Sequence, residues 1–174
     1  AIPTDRCNPF RLETAAVLER AKELCPESYK PCYYLGNLYY NKQPDRAMAE
    51  WEQCIDKEPS FAMAWRNLGW AHWLHTKNYG EAVKYYRKAI DLAPEEALFL
   101  EEIDQVYEAK GEDVQVRYDL LKSRHAVCTK RYSPLAGEVT AGIFVGDYDY
   151  VLKLLKECYF PTREGVANFH DVYV

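Results

Sequence analysis

Apolar residues recur along this chain at intervals of three and four, the spacing that lines one face of a helix. Leu12, Ala15, Ala16, Leu18 and Leu24 do so before Pro26 ends the run, which predicts a helix over 12–25. The same pattern predicts helices near Tyr29 to Asn41 and Pro44 to Lys57, with Pro44 in a first turn where its missing N–H has no partner to lose. The block from Phe61 to Pro94 holds two more, the second over Tyr79 to Leu92. Asn78 is its N-cap, and Glu81 sits early, at the positive end of the helix dipole.

Further on, Leu98, Leu100, Ile103, Val106 and Tyr107 share a face between Glu95 and Lys110, and Gly111 turns the chain into a partner helix at Val114 to Cys128. Ser133 is read as the cap of a helix that opens at Pro134 and ends near Phe144. Gly146 follows 35 residues after Gly111, and Tyr148 to Cys158, with Val151, Leu152, Leu154 and Leu155, closes the series before Pro161. The last 16 residues fit no helix of the series. Their Tyr159, Phe160, Phe169 and Tyr173 are too apolar for a solvated tail, so they are expected to fold back or cap the end of the helices.

These helices come in repeating pairs. Leu35-Gly36 and Leu68-Gly69 are 33 residues apart, and closing prolines recur at Pro26, Pro59 and Pro94. The glycine lets the first helix of a pair approach the second, and the proline ends the second. Trp65, Leu68, Gly69, Ala82, Tyr86, Ala89 and Pro94 follow one another in the order of a tetratricopeptide repeat, with His72 where that repeat usually has Tyr. Cys32, Leu35, Gly36, Tyr39, Ala47, Trp51, Cys54 and Pro59 restate the pattern upstream.

The chain therefore resembles a tetratricopeptide repeat protein. The resemblance implies an all-α fold, a right-handed superhelical solenoid of antiparallel helix pairs with about four and a half repeats. Residues 1–174 are expected to form one such solenoid: a half repeat over 11–26, repeats over 29–60 and 61–94, degenerate repeats over 95–128 and 133–158, and a tail over 159–174. The first half of the opening repeat is missing and the chain starts without Met, which suggests a piece of something longer. At finer grain, YYLGNLYY (33–40), WRNLGWA (65–71), EEIDQVYEAKG (101–111) and KECYFPTREG (156–165) resemble the repeat region of large bacterial multidomain proteins, in which these helices follow a β-rich, carbohydrate-related domain.

In such arrays the first helix of each pair lines a concave face, and this places the expected groove. Its binding residues would be Tyr33, Asn37, Tyr40, Arg66, Asn67, Trp70, Trp73 and Gln105, with an aromatic floor of Tyr33, Tyr40, Trp70 and Trp73. One version of the fold clamps a peptide's terminal carboxylate with two Asn and several cations. Asn37 and Asn67 match the Asn pair, but Tyr33, Leu98 and Glu102 stand where the cations belong, so the clamp is rejected. If a partner covered all four rings at roughly 1–2 kcal/mol each, the gain would barely offset an association cost of about 4–15 kcal/mol. A tethered partner escapes most of that cost.

Composition narrows the alternatives. The net charge is −5, with 22 basic residues scattered among 27 acidic ones, so nucleic acid and anionic membrane are poor partners. Apolar runs are too short to span a bilayer, and the chain is expected to be soluble and cytoplasmic. Six cysteines, at 7, 25, 32, 54, 128 and 158, lack metal-ligand spacing and read as reduced structural thiols.

His72 and His75 lie three apart on one helix without a third ligand, and a packed histidine is the better reading. Glu95/Glu96 and Glu101/Glu102 point apart as helix neighbours, and no nucleotide or nucleophile motif occurs. No enzyme activity, cofactor or metal is expected. The function expected is an interaction scaffold that binds an extended peptide or a neighbouring domain. The alternative is an accessory segment of a carbohydrate-active protein whose rings contact sugar.

Overall fold

The structure is a computed structural model that describes residue 11 and residues 13–160. Among these residues there are ten α-helices and no strand. Of the expected tail over 159–174, residues 161–174, with Phe169 and Tyr173, lie outside the described residues, as do the first ten. The described helices form two compact units, divided between Pro94 and Glu95.

The first unit contains α1 (Glu13–Leu24), α2 (Lys30–Tyr39), α3 (Pro44–Lys57), α4 (Ala62–Leu74) and α5 (Tyr79–Leu92). Helices α2 with α3 and α4 with α5 form tightly packed hairpins. Pro44 opens α3, and the Asn78 side chain accepts from the Glu81 N–H at 3.2 Å at the start of α5. The thin faces of the hairpins are made by the residues the repeat pattern singles out. Cys32, Leu35, Ala47, Cys54, Ala64, Leu68 and Ala71 are buried together in one core.

Both pattern glycines are needed for that packing. A Cβ on Gly36 would lie 2.3 Å from the Trp51 indole nitrogen, and one on Gly69 would lie 2.8 Å from the Tyr86 ring. Neither ring has anywhere to go, because Trp51 and Tyr86 are themselves buried.

Helix α1 is held differently. None of its residues is fully buried, and Val17 and Leu24 face outward. Ala15 and Leu18 pack against the edge of the core, and polar contacts add to this: Lys22 reaches both oxygens of the buried Glu50 at 2.8 and 2.9 Å, and Arg46 and the Tyr39 hydroxyl both donate to Glu19.

The second unit contains α6 (Ala97–Lys110), α7 (Val114–Ser123), α8 (His125–Cys128), α9 (Tyr132–Val145) and α10 (Tyr148–Glu157). Here the structure departs from the spacing. The expected helix over 114–128 breaks at Arg124, whose φ of −113° and ψ of 20° leave the helical region. The expected Ser133 cap is replaced by Arg131, which is extended and makes no side-chain cap, so α9 begins at Tyr132 and runs through Ser133 and Pro134.

Helix α7 packs mainly on α9 rather than on α6. The reason is visible at Asp104, where the pattern would put glycine. Asp104 is buried and takes a two-pronged hydrogen bond from Arg117, at 2.8 and 3.1 Å. A long ion pair now stands between α6 and α7 where close backbone approach would otherwise occur. Close approach is found at α9 instead, where a Cβ on Gly142 would meet Val151 at 2.7 Å and Tyr118 at 3.2 Å.

Gly111 and Gly146 both end helices in the left-handed region, with φ of 75° and 83°. Each lets the next residue's N–H bond back to the final turn, Glu112 to Tyr107 and Asp147 to Gly142. Inside the unit the fully buried Glu138 is satisfied by His125 at 2.9 Å and by the Tyr150 hydroxyl at 2.7 Å. Among the described residues no helix is long and apolar enough to cross a membrane.

Candidate functional site

A recess of about 230 Å³ opens in the first unit, lined by Tyr33, Asn37, Tyr40, Trp51, Met63, Arg66, Asn67 and Trp70. Six of the eight residues expected to form the groove meet here, carried by α2 and α4. They come together because Tyr33 and Asn37 of α2 and Tyr40, which caps its C-terminus in helical geometry, follow one another at helical spacing, as do Met63, Arg66, Asn67 and Trp70 on α4.

A hydrogen-bonded spine runs through the recess. The Asn37 side-chain oxygen accepts from the Trp51 indole N–H at 3.1 Å and from the Asn67 amide at 3.0 Å. The Asn67 oxygen in turn accepts from Arg66 at 3.1 Å. The Arg66 guanidinium lies 4.8 Å from the centre of the Trp70 ring, a cation–π arrangement. Arg66 is also the single formal charge among the lining residues. Burial raises the Tyr40 hydroxyl above its ordinary pKa, against the opposing effect of a hydrogen bond with Trp70 and of Arg66, so Tyr40 is a neutral phenol throughout the physiological range.

The lining residues are not equally accessible. Tyr33 is 2% exposed, its ring edge-on to Phe61 at 4.9 Å, and Asn67 is 6% exposed. These two build the wall. Asn37, Tyr40, Met63, Arg66 and Trp70 are half-buried and present surface. Trp73 does not line the recess; it packs edge-on against Trp70 with ring centres 5.4 Å apart. Gln105 is an exposed residue of α6, in the second unit.

Trp51 is the lining residue that reading α2 and α4 alone misses, since it reaches the recess from α3. Its signal is its place opposite Gly36: a bulky ring that needs a glycine across from it projects through the hairpin to the far side. Met63 shares its helix face with Arg66, Asn67 and Trp70.

The two histidines of α4 go separate ways. His72 stacks on Tyr85 at 5.1 Å, and burial lowers its pKa against the raising effect of Glu81 and Glu52. His75 bonds Asp45 at 2.9 Å. Among the described residues no three His, Cys, Asp or Glu side chains gather where they could hold a metal ion.

Residues 37–97 match the family model of the tetratricopeptide repeat. That segment carries the recess's α4 wall and both pattern glycine partners, Trp51 and Tyr86. Over these residues, about a third of the chain, the protein is a tetratricopeptide repeat segment. Solved structures agree on the fold. MamA is 17% identical with a TM-score of 0.66, and the match covers 82% of each chain. YrrB, described as a tetratricopeptide repeat protein with an unusual peptide-binding site, is also 17% identical, with a TM-score of 0.67 over 82% of this chain and 73% of its own. The MamA RS-1 ArsTM double mutant follows at 14% identity and a TM-score of 0.65.

Proposed function

We propose that this chain is a non-enzymatic interaction module that receives an extended peptide segment in the α2–α4 recess. The observation that carries the reading is the recess itself, where half-exposed Tyr40, Trp70 and Met63 stand beside Arg66 and a fixed line of amide hydrogen bonds. Aromatic and arginine side chains of this kind dominate binding hot spots. A volume of about 230 Å³ suits one or two side chains of a peptide. It falls below the ~300–1,000 Å³ typical of small-molecule and cofactor sites. The peptide-binding site named for YrrB, on the same fold, supports the reading.

The burial pattern revises the expected strength. Tyr33 and Trp51 are already buried, so only Tyr40 and Trp70 have much ring surface left to lose. At roughly 1–2 kcal/mol each, they supply about 2–4 kcal/mol, short of an association cost of ~4–15 kcal/mol. A free peptide would bind weakly, and a segment of the same larger protein or of a co-assembled partner would bind well through its tether. The buried thiols of Cys32, Cys54 and Cys128 support a reducing, cytoplasmic setting.

The test is a displayed library of extended peptides panned on the native chain and on Trp70→Ala. A consensus enriched on the native chain and lost on the variant is expected. The same enrichment on both would refute the recess as the site. A parallel glycan panel giving saturable binding lost in Trp70→Ala would replace the peptide reading with sugar contact.

A further inference from the structure

What the recess leaves to a ligand is set by the hydrogen bonds its own walls already make. A carboxamide oxygen has two lone pairs, and that of Asn37 is used twice, by the Trp51 indole N–H at 3.1 Å and by the Asn67 amide at 3.0 Å. The Asn67 oxygen takes Arg66 at 3.1 Å, and Asn67 is itself buried. Neither Asp nor Glu is among the lining residues. The amide acceptors of the walls are thus spent on the walls themselves.

Donors remain. An indole N–H only donates, so in the hydrogen bond between Trp70 and Tyr40 the phenol oxygen accepts, and the Tyr40 O–H is not consumed in that bond. Burial keeps the phenol protonated, which leaves it a proton to give. The Arg66 guanidinium likewise carries donors and no acceptor. Ring faces surround these groups and are braced: Tyr40 lies 5.4 Å from Trp51, and Trp73 stands edge-on to Trp70 at 5.4 Å.

An ordinary peptide presents one N–H and one carbonyl at each residue. Against walls rich in donors and poor in acceptors its carbonyls find partners and its N–H groups do not. Each N–H buried without an acceptor weakens binding roughly tenfold. Proline has no N–H to strand. A run of prolines is also extended before it binds, as a polyproline II helix, so little freedom is lost, and aromatic-lined grooves receive such helices. That saving matters here, because the ring surface left on Tyr40 and Trp70 falls short of the association cost.

We propose that the segment received in the recess is rich in proline and adopts the polyproline II conformation, with a proline ring against Tyr40 and Trp70 and a backbone carbonyl accepting from the Tyr40 hydroxyl. The proposal rests on the peptide reading given above and narrows it to one class of sequence.

The probe is acetylated, amidated decaproline, titrated into the isotope-labelled full chain while the indole N–H signals of its four tryptophans are followed. The Trp51 and Trp70 signals should move together and saturate. The Trp65 signal should stay, since its N–H donates to the Pro59 carbonyl at 2.9 Å and its ring lies against Tyr85, outside the lining of the recess. Decaproline with its central prolines replaced by alanine should bind about tenfold more weakly. N-methylalanine at the same places, which again lacks the N–H, should recover part of that loss. Decaproline that moves neither recess signal overturns the proposal, as does an alanine peptide that binds equally tightly or an N-methylalanine peptide no better than the alanine one. The displayed library separates this failure from that of the peptide reading. A Trp70-dependent consensus without proline keeps the recess as a peptide site and refutes the proline class, whereas the absence of any consensus, with decaproline silent, removes both.

Discussion

Gly36→Ala ties the packing of the first unit to its recess, and its effect can be worked from distances. The new Cβ would stand 2.3 Å from the Trp51 indole nitrogen, so the ring must retreat by about 0.7 Å to reach even 3.0 Å. Trp51 is 3% exposed, and its N–H is held by Asn37 at 3.1 Å, so retreat disturbs the core and breaks a hydrogen bond together. Overpacking a core costs about 1–3 kcal/mol, and the lost hydrogen bond ~1 kcal/mol. Against this stands the helix preference of Ala over Gly, about 1 kcal/mol. The net loss is roughly 1–3 kcal/mol, or a Tm lower by about 2–12 °C for a chain of this size.

Gly80→Ala is the control with the opposite sign. Gly80 lies in the first turn of α5, and a Cβ there meets only the Asn78 side-chain oxygen at 3.6 Å, an ordinary contact. With space available, the helix preference should dominate and stabilise by roughly 0.5–1 kcal/mol. Circular dichroism melts with urea midpoints measure both variants. If Gly36→Ala proved as stable as the native chain, or if Gly80→Ala destabilised equally, steric exclusion at Gly36 would not be what fixes the α2–α3 approach.

Two further outcomes are expected. Asp147 accepts hydrogen bonds from Lys122 at 2.7 Å and Tyr118 at 2.6 Å, and these hold its carboxyl below the usual 3.8. A depressed folded pKa adds stability that is present above the unfolded value and lost as pH falls through the folded one. The Tm gap between the native chain and Asp147→Asn should therefore be constant from neutral pH to about pH 5 and shrink below 3.8; a gap unchanged in acid would refute this. For the thiols, burial pushes Cys54 and Cys128 up to about 12, while Cys25 is exposed. Alkylation of the native chain near pH 8, followed by mass spectrometry, should label Cys25 first and reach Cys54 and Cys128 only in denaturant; equal native rates would contradict the burial.

How far the sequence could be read depended on whether local spacing carried the interaction. Helices α3 and α5 begin and end where the apolar period, Pro44 and Asn78 place them, since caps and prolines act within one turn. The grouping of Tyr33, Asn37 and Tyr40 with Arg66, Asn67 and Trp70 was legible for the same reason. What spacing could not convey was depth. Tyr33 and Asn67 look like surface positions on a helical wheel, yet Phe61 and the Asn37 amide bury them.

In the second unit the deciding contacts lie beyond any helical interval. Asp104 and Arg117 are 13 residues apart on different helices, and their pairing, not a missing glycine, sets how α6 and α7 meet. The break at Arg124 has no Gly or Pro to announce it, and the start of α9 at Arg131 lacks a polar cap.

The contrast between the two units bears on where a ligand site can form. In the first, each pattern glycine admits a large ring, and the ring at Gly36 continues through the hairpin to donate its N–H to Asn37. That bond orients the Asn37 amide, which orients Asn67, which holds Arg66. A site whose polar groups are locked by core packing loses little freedom on binding, which offsets part of the association cost. In the second unit the equivalent interior position is occupied by the Asp104 carboxylate, and Arg117 is consumed in neutralising it. The ion pair satisfies the interior carboxylate from within. Core packing thus extends outward to the recess where glycine and tryptophan meet, and closes on itself where aspartate and arginine do.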